Sequence, residues 1–112
     1  MYKPKKFLLT AEQILPLLGR PVGSGFATDR IMVDGKPVGI MYREEPDSAV
    51  DSGWRFLAGD ETQEYADEPD NWAIYDLNTI ANYDSAIIPY LVAEIGCDLD
   101  RVIGTDTFRT AE

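Results

Sequence analysis

Ten of the chain's twenty acidic residues fall between Glu44 and Asp70, opposed within that stretch by Arg55 alone. Glu44, Glu45, Asp47 and Asp51 come first, and Asp60 and Glu61 follow a short aromatic run, so paired-carboxylate chemistry is the first possibility to weigh. Glu44 and Asp51 would act on a glycosidic bond only if the fold set them about 5–10 Å apart. Nothing in their spacing requires this, and ion pairs with Arg43 or Arg55 account for the same residues. Asp60-Glu61 and Asp98-Leu99-Asp100 are weak candidates for a hard cation, because the spaced oxygen ligands and central glycine of a calcium loop are missing. The remaining reading is a carboxylate-rich surface. Such a field repels nucleic acid and anionic lipid and speeds encounter with a basic protein, although a solvated loop that keeps the chain soluble would have the same composition.

Other chemistries find few residues to carry them. The chain has no histidine, which removes the usual general base, the Ser-His and Cys-His nucleophile systems and most zinc ligation. Ser24 and Ser52 each precede a glycine, but neither stands in a GxSxG elbow. Cys97 is the single cysteine, so no internal disulfide forms, and the residue reads as a small hydrophobe. Gly19, Gly23 and Gly25 do not form GxGxxG, and no Walker lysine follows them. An enzyme built here would rely on carboxylates, Lys, Tyr or a borrowed cofactor; the sequence is read as non-enzymatic, with no cofactor and no metal.

At 112 residues the chain fits one domain, and its 45% hydrophobic share is that of a folded protein. Lys3, Lys5 and Lys6 precede an apolar run in the manner of a signal peptide, but Glu12 and Gln13 interrupt it and no small-residue cleavage site follows. No segment approaches the roughly 20 apolar residues of a membrane span. The expectation is a cytoplasmic protein that binds neither membrane nor nucleic acid.

The elements that must position the acids read as an α+β fold, mainly an antiparallel β-sheet with short helices. Thr10 and Gln13 have capping-box spacing, which predicts a short helix from Ala11 that bends or ends near Pro16. Gly19, Pro21, Gly23 and Gly25 mark a loop, so residues 1–27 read as a helix and a Gly/Pro loop packed on the domain. Strands are predicted over 26–33 and 37–43, joined as a hairpin at Asp34-Gly35. A third strand, 54–58, places Trp54, Phe56 and Ala58 on one face, with Trp54 and Phe56 entering the core. A fourth covers 72–76. Asp76 or Asn78 caps a helix through Ile80 and Ala81, and Asp84 caps another through Ile87 and Ile88 before Pro89. Further strands are expected over 91–95 and 102–108. The pattern ILPLLGRPVGSGF from Ile14 returns as IIPYLVAEIGCDL from Ile87, which suggests a reused helix, proline bend and strand. The block from Asn78 to Asp84 either caps helices or lines a small-ligand pocket, and capping is the stronger reading.

The successive blocks DRI, GKPVGIMYREEP, DSGWRFLAGDE, IYDLNTIANYD and IIPYL, across residues 28–91, resemble the immunity protein 33 family. That resemblance implies a small cytoplasmic bacterial protein that protects its own cell by binding a cognate toxin. It favours recognition over catalysis for the acids, with a toxin of basic surface as partner. The candidate partner-binding residues are Glu44, Glu45, Asp47, Asp51, Asp60 and Glu61, with Tyr42, Tyr65 and Trp72 as aromatic anchors. Competing roles are core packing for Tyr42 and Trp72 and a turn cap before Gly53 for Asp51. A carboxylate-based enzyme and an acidic regulator of another basic protein are the alternatives.

Overall fold

The structure, a computed structural model, describes residues 5–111; Lys3 and the rest of the first four residues lie outside them. Six strands form one mixed sheet in the order β4-β1-β3-β2-β5-β6. The strands are β1 (Ser24–Thr28), β2 (Ile40–Arg43), β3 (Asp51–Leu57), β4 (Trp72–Asp76), β5 (Asp98–Arg101) and β6 (Phe108–Thr110). Only β1 and β3 run parallel; the other four ladders are antiparallel. With three short helices, α1 (Asp29–Met32), α2 (Gln63–Asp67) and α3 (Leu77–Tyr83), the fold is α+β.

The period-two pattern of β3 directs it as expected. Trp54 and Phe56 project to the same face, are fully buried and stack with ring centres 6.0 Å apart. Ala27, Met41 and Leu99 join them from neighbouring strands, and Leu77, Ile80, Ala81 and Ile87 close the core from the helical side. Gly25 is required here, because a Cβ on it would meet the Trp54 carbonyl oxygen at 2.9 Å and Leu77 at 3.1 Å.

The expected hairpin at Asp34-Gly35 does not form. After Thr28 the chain turns into α1, which brings the adjacent Ile31 and Met32 together into the core. Asp34 and Gly35 close that helix through bonds from their N–H groups to the carbonyls of Asp29 and Ile31, and Gly35 takes a positive φ of 78°. The true hairpin partner of β2 is β3, inserted between β2 and β1, with Met41 opposite Phe56 and Tyr42 opposite Arg55.

The strand expected over 91–95 is instead a turn region after the 3-10 helix Ser85–Tyr90. That expected over 102–108 is a turn between β5 and β6, held by the Val102 N–H on Thr107. The echo between Ile14 and Ile87 holds for its strand half, since β1 and β5 occupy matching positions, but no helix follows Ile14. Capping is as read: Asp76 accepts from the Asn78 N–H at 2.8 Å, and Asp84 from the Ala86 N–H at 3.1 Å.

Residues 5–23 form a strap along the helical side, with only a 3-10 turn at Ala11–Gln13. Gln13 Oε1 accepts from the Thr10 N–H at 2.8 Å, the contact its spacing predicts. Asn78 Oδ1 accepts from the N–H groups of Leu17 and Leu18, and Asn82 Oδ1 from that of Leu15. Both asparagines donate back to the Leu15 carbonyl at 2.8 Å.

Candidate functional site

Arg55 organises the first acidic group. It lies on β3 opposite Tyr42 and is only 4% exposed. Its Nη1 and Nη2 donate to the two oxygens of Asp51 at 2.9 and 2.8 Å, a two-pronged pairing that a planar guanidinium is shaped for. Its Nε donates to Glu44 at 2.8 Å, and Asp47 stands 3.9 Å from Nη2. The guanidinium also lies over the Phe26 ring, 4.7 Å from its centre.

Asp51 is the buried member of this group. Besides Arg55 it accepts from the N–H groups of Gly53 and Asp47, at 2.9 and 2.8 Å, so it caps the turn before Gly53 and pins the 44–50 loop. The Arg55 bonds hold its carboxyl well below the usual range, against the opposing effect of burial. Gly53 is needed, since a Cβ there would stand 2.1 Å from the Glu44 carbonyl oxygen. Glu44, Glu45 and Asp47 remain exposed.

The second group sits at the other end of β3, about 20 Å away for a seven-residue strand. Asp60 pairs with Arg30 of α1, which lowers its pKa, and Arg30 also bonds Asp34 at 2.9 Å. Glu61 is committed to structure: it accepts from the Thr28 hydroxyl at 2.6 Å and from the Ala58 and Gly59 N–H groups at 2.8 Å. Tyr65 on α2 is half-buried, and burial with nearby Asp29 raises its pKa. Trp72, half-buried, donates its indole N–H to the Ala66 carbonyl at 2.9 Å, tying α2 to β4.

Tyr42 lies between these ends on the sheet face opposite the core, with Arg55 on one side and Asp98 on the other. Burial, then Glu44, raises its pKa. The nine candidates thus divide into two end groups and one residue between them. Sequence reading did not single out Asn78 and Asn82 as holders of the strap; their four-residue spacing, one turn of a helix face, was the available signal. Arg30 and Phe26 were also missed, and Asp98 was read only as a weak cation candidate, because their importance comes from neighbours distant in the chain.

The arrangement gives little support to paired-acid catalysis. Three surface cavities measure about 490, 470 and 330 Å³; Asp76 is the one carboxylate lining the first, Asp60 the one lining the second, and the third has none. Asp76 caps α3 and Asp60 pairs with Arg30. The displaced carboxyl pKa values, those of Asp51 and Asp60, are both lowered, whereas a general acid needs the reverse. Among the described residues no cluster of three or more Cys, Asp or Glu is arranged to hold a metal ion, and no helix is long and apolar enough to cross a membrane.

A family model described as the immunity protein Imm33 domain matches residues 25–112, from within β1 through the C-terminal residue, leaving the strap outside. No curated protein and no solved structure matches the chain.

Proposed function

The chain belongs to the immunity protein Imm33 family, and from that premise we propose that it binds and neutralises a cognate protein toxin through its acidic surface. The observation that carries this reading is the pinned 44–50 loop. Buried Asp51 holds its backbone through the Asp47 N–H and buried Arg55 holds the Glu44 carboxylate, while Glu44, Glu45 and Asp47 stay exposed, so acids face solvent on an ordered loop. A pre-ordered acidic surface loses less entropy on binding and accelerates encounter with a basic partner. Neutralisation follows when the bound protein covers the toxin's active centre or a neighbouring site. The setting proposed is the bacterial cytoplasm, with neither nucleic acid nor membrane as a partner.

The test uses the C-terminal domain of a toxin encoded beside this chain. A variant carrying Glu44→Gln, Glu45→Gln, Asp47→Asn and Asp60→Asn is compared with wild type by stopped-flow association at several salt concentrations. Wild type should associate about ten-fold faster at low salt, and its rate should fall more steeply as salt screens the attraction. Identical rates and salt slopes would refute the acidic mechanism.

A further inference from the structure

The two faces of the sheet differ in what covers them. On the core face, Ala27, Met41, Trp54 and Phe56 are fully buried, and helix α3 with the 3-10 helix lies over them. On the other face the registers place Ile74, Phe26, Arg55, Tyr42 and Asp98 in one row across five strands. Ile74 is 42% exposed, Phe26 and Tyr42 are half-buried, and Asp98 is exposed. The 44–50 loop flanks the row on one side, where its acids reach Arg55. The 58–71 connection flanks the other side, where Glu61 holds Thr28 and Ala66 holds Trp72. The row is thus a floor between two acid-bearing walls.

We propose that this open sheet face is the toxin-docking surface, and that the toxin brings to it a basic protein surface with an apolar contact at its centre. This rests on the immunity reading and specifies the face it uses. The floor supplies apolar and aromatic contacts, from Ile74 on the edge strand through Phe26 to Tyr42, and the walls supply a charged rim, the division a protein interface requires. Charge complementarity selects the partner. Arg55 is engaged by Asp51 and Glu44, with Asp47 at 3.9 Å, so it does not offset the exposed Glu45 and Asp98, and a partner lacking cations would desolvate these acids without compensation. A second copy docked face to face would oppose acids with acids. The helical side has a different occupant, since the strap is bonded along α3 through Asn78 and Asn82.

The test measures binding of a catalytically inactive C-terminal domain of the neighbouring toxin to wild type, Ile74→Lys, Asp98→Lys and Glu12→Lys. Glu12 is exposed on the strap, so Glu12→Lys changes net charge as much as Asp98→Lys does, on the opposite side of the sheet. All three sites are exposed, and unchanged denaturation midpoints confirm folding. Ile74→Lys and Asp98→Lys should each weaken binding by about 30-fold or more, on the scale of lost hot-spot contacts, and Glu12→Lys by less than about three-fold. Wild-type affinity in both face variants, with wild type itself binding, would overturn the docking face and leave the immunity reading intact. Absence of binding by wild type would overturn both. A wild-type dimer dissolved by Ile74→Lys would assign the face to a second copy and overturn the proposal.

Discussion

Asp51→Asn keeps the shape of the side chain but removes one of two acceptor oxygens. The Asp51 carboxylate takes four donors in a site with no side-chain exposure: two from Arg55 and the N–H groups of Gly53 and Asp47. An amide leaves one oxygen for two of these donors and turns its own NH2 toward the others. Breaking a buried ion pair by removing one partner costs about 3–5 kcal/mol, and the low end applies because Glu44 still bonds Arg55. The expected loss at pH 7 is therefore about 3 kcal/mol, or about 10–15 °C in the melting temperature for a domain of this size. The pH dependence gives the loss a second signature. Arg55 lowers the folded-state pKa of Asp51, below an unfolded value of about 3.9. Its stabilisation is thus fully present above about pH 5 and is lost as pH falls through the unfolded value toward the folded one. At pH 3 the wild type should have lost about 1 kcal/mol of it, a loss the amide variant does not share, so the two stabilities should converge by that amount. Urea denaturation of both proteins from pH 7 to pH 3 measures this. A difference below about 1 kcal/mol at pH 7, or one that stays constant down to pH 3, would refute the assignment of Asp51 as the buried partner of Arg55.

Trp54→Ala removes a fully buried ring that stacks on Phe56 and donates to the Leu91 carbonyl at 3.2 Å; it should destabilise by about 3–5 kcal/mol, and an unchanged denaturation midpoint would place Trp54 outside the core. Gly53→Ala puts a Cβ 2.1 Å from the Glu44 carbonyl oxygen at a φ of 93°, so a loss of about 2 kcal/mol or more is expected by chemical denaturation, with faster proteolysis in the 44–50 loop. Asn78→Ala with Asn82→Ala removes the side chains that hold the strap; hydrogen exchange at the Leu15, Leu17 and Leu18 amides should rise by about ten-fold or more while exchange in β3 changes less, and equal acceleration throughout would mean that the strap is not a separate opening unit.

What the sequence settled was local and periodic. Alternation placed Trp54 and Phe56 on the core face of β3, Trp72–Asp76 read as a strand, and Asp76 and Asp84 capped the turns their positions indicated. The quoted motif blocks carried the family, and the surplus of acids followed from counting. Order in space was not legible in the same way. Asp34-Gly35 suits a hairpin turn and a helix end equally, and the chain takes the helix, with Ile31 and Met32 together in the core. The insertion of β3 between β1 and β2 was likewise a contest among non-local pairings. The fate of each carboxylate followed from those pairings. Glu61 met Thr28 across the fold and Asp51 met Arg55 four residues along its own strand, and both became internal acceptors, whereas Glu45 and Asp98 met solvent. A carboxylate is worth burying only where donors converge on it: those of Asp51 are local, at Asp47, Gly53 and Arg55, whereas the Thr28 hydroxyl reaches Glu61 only once the tertiary fold has formed.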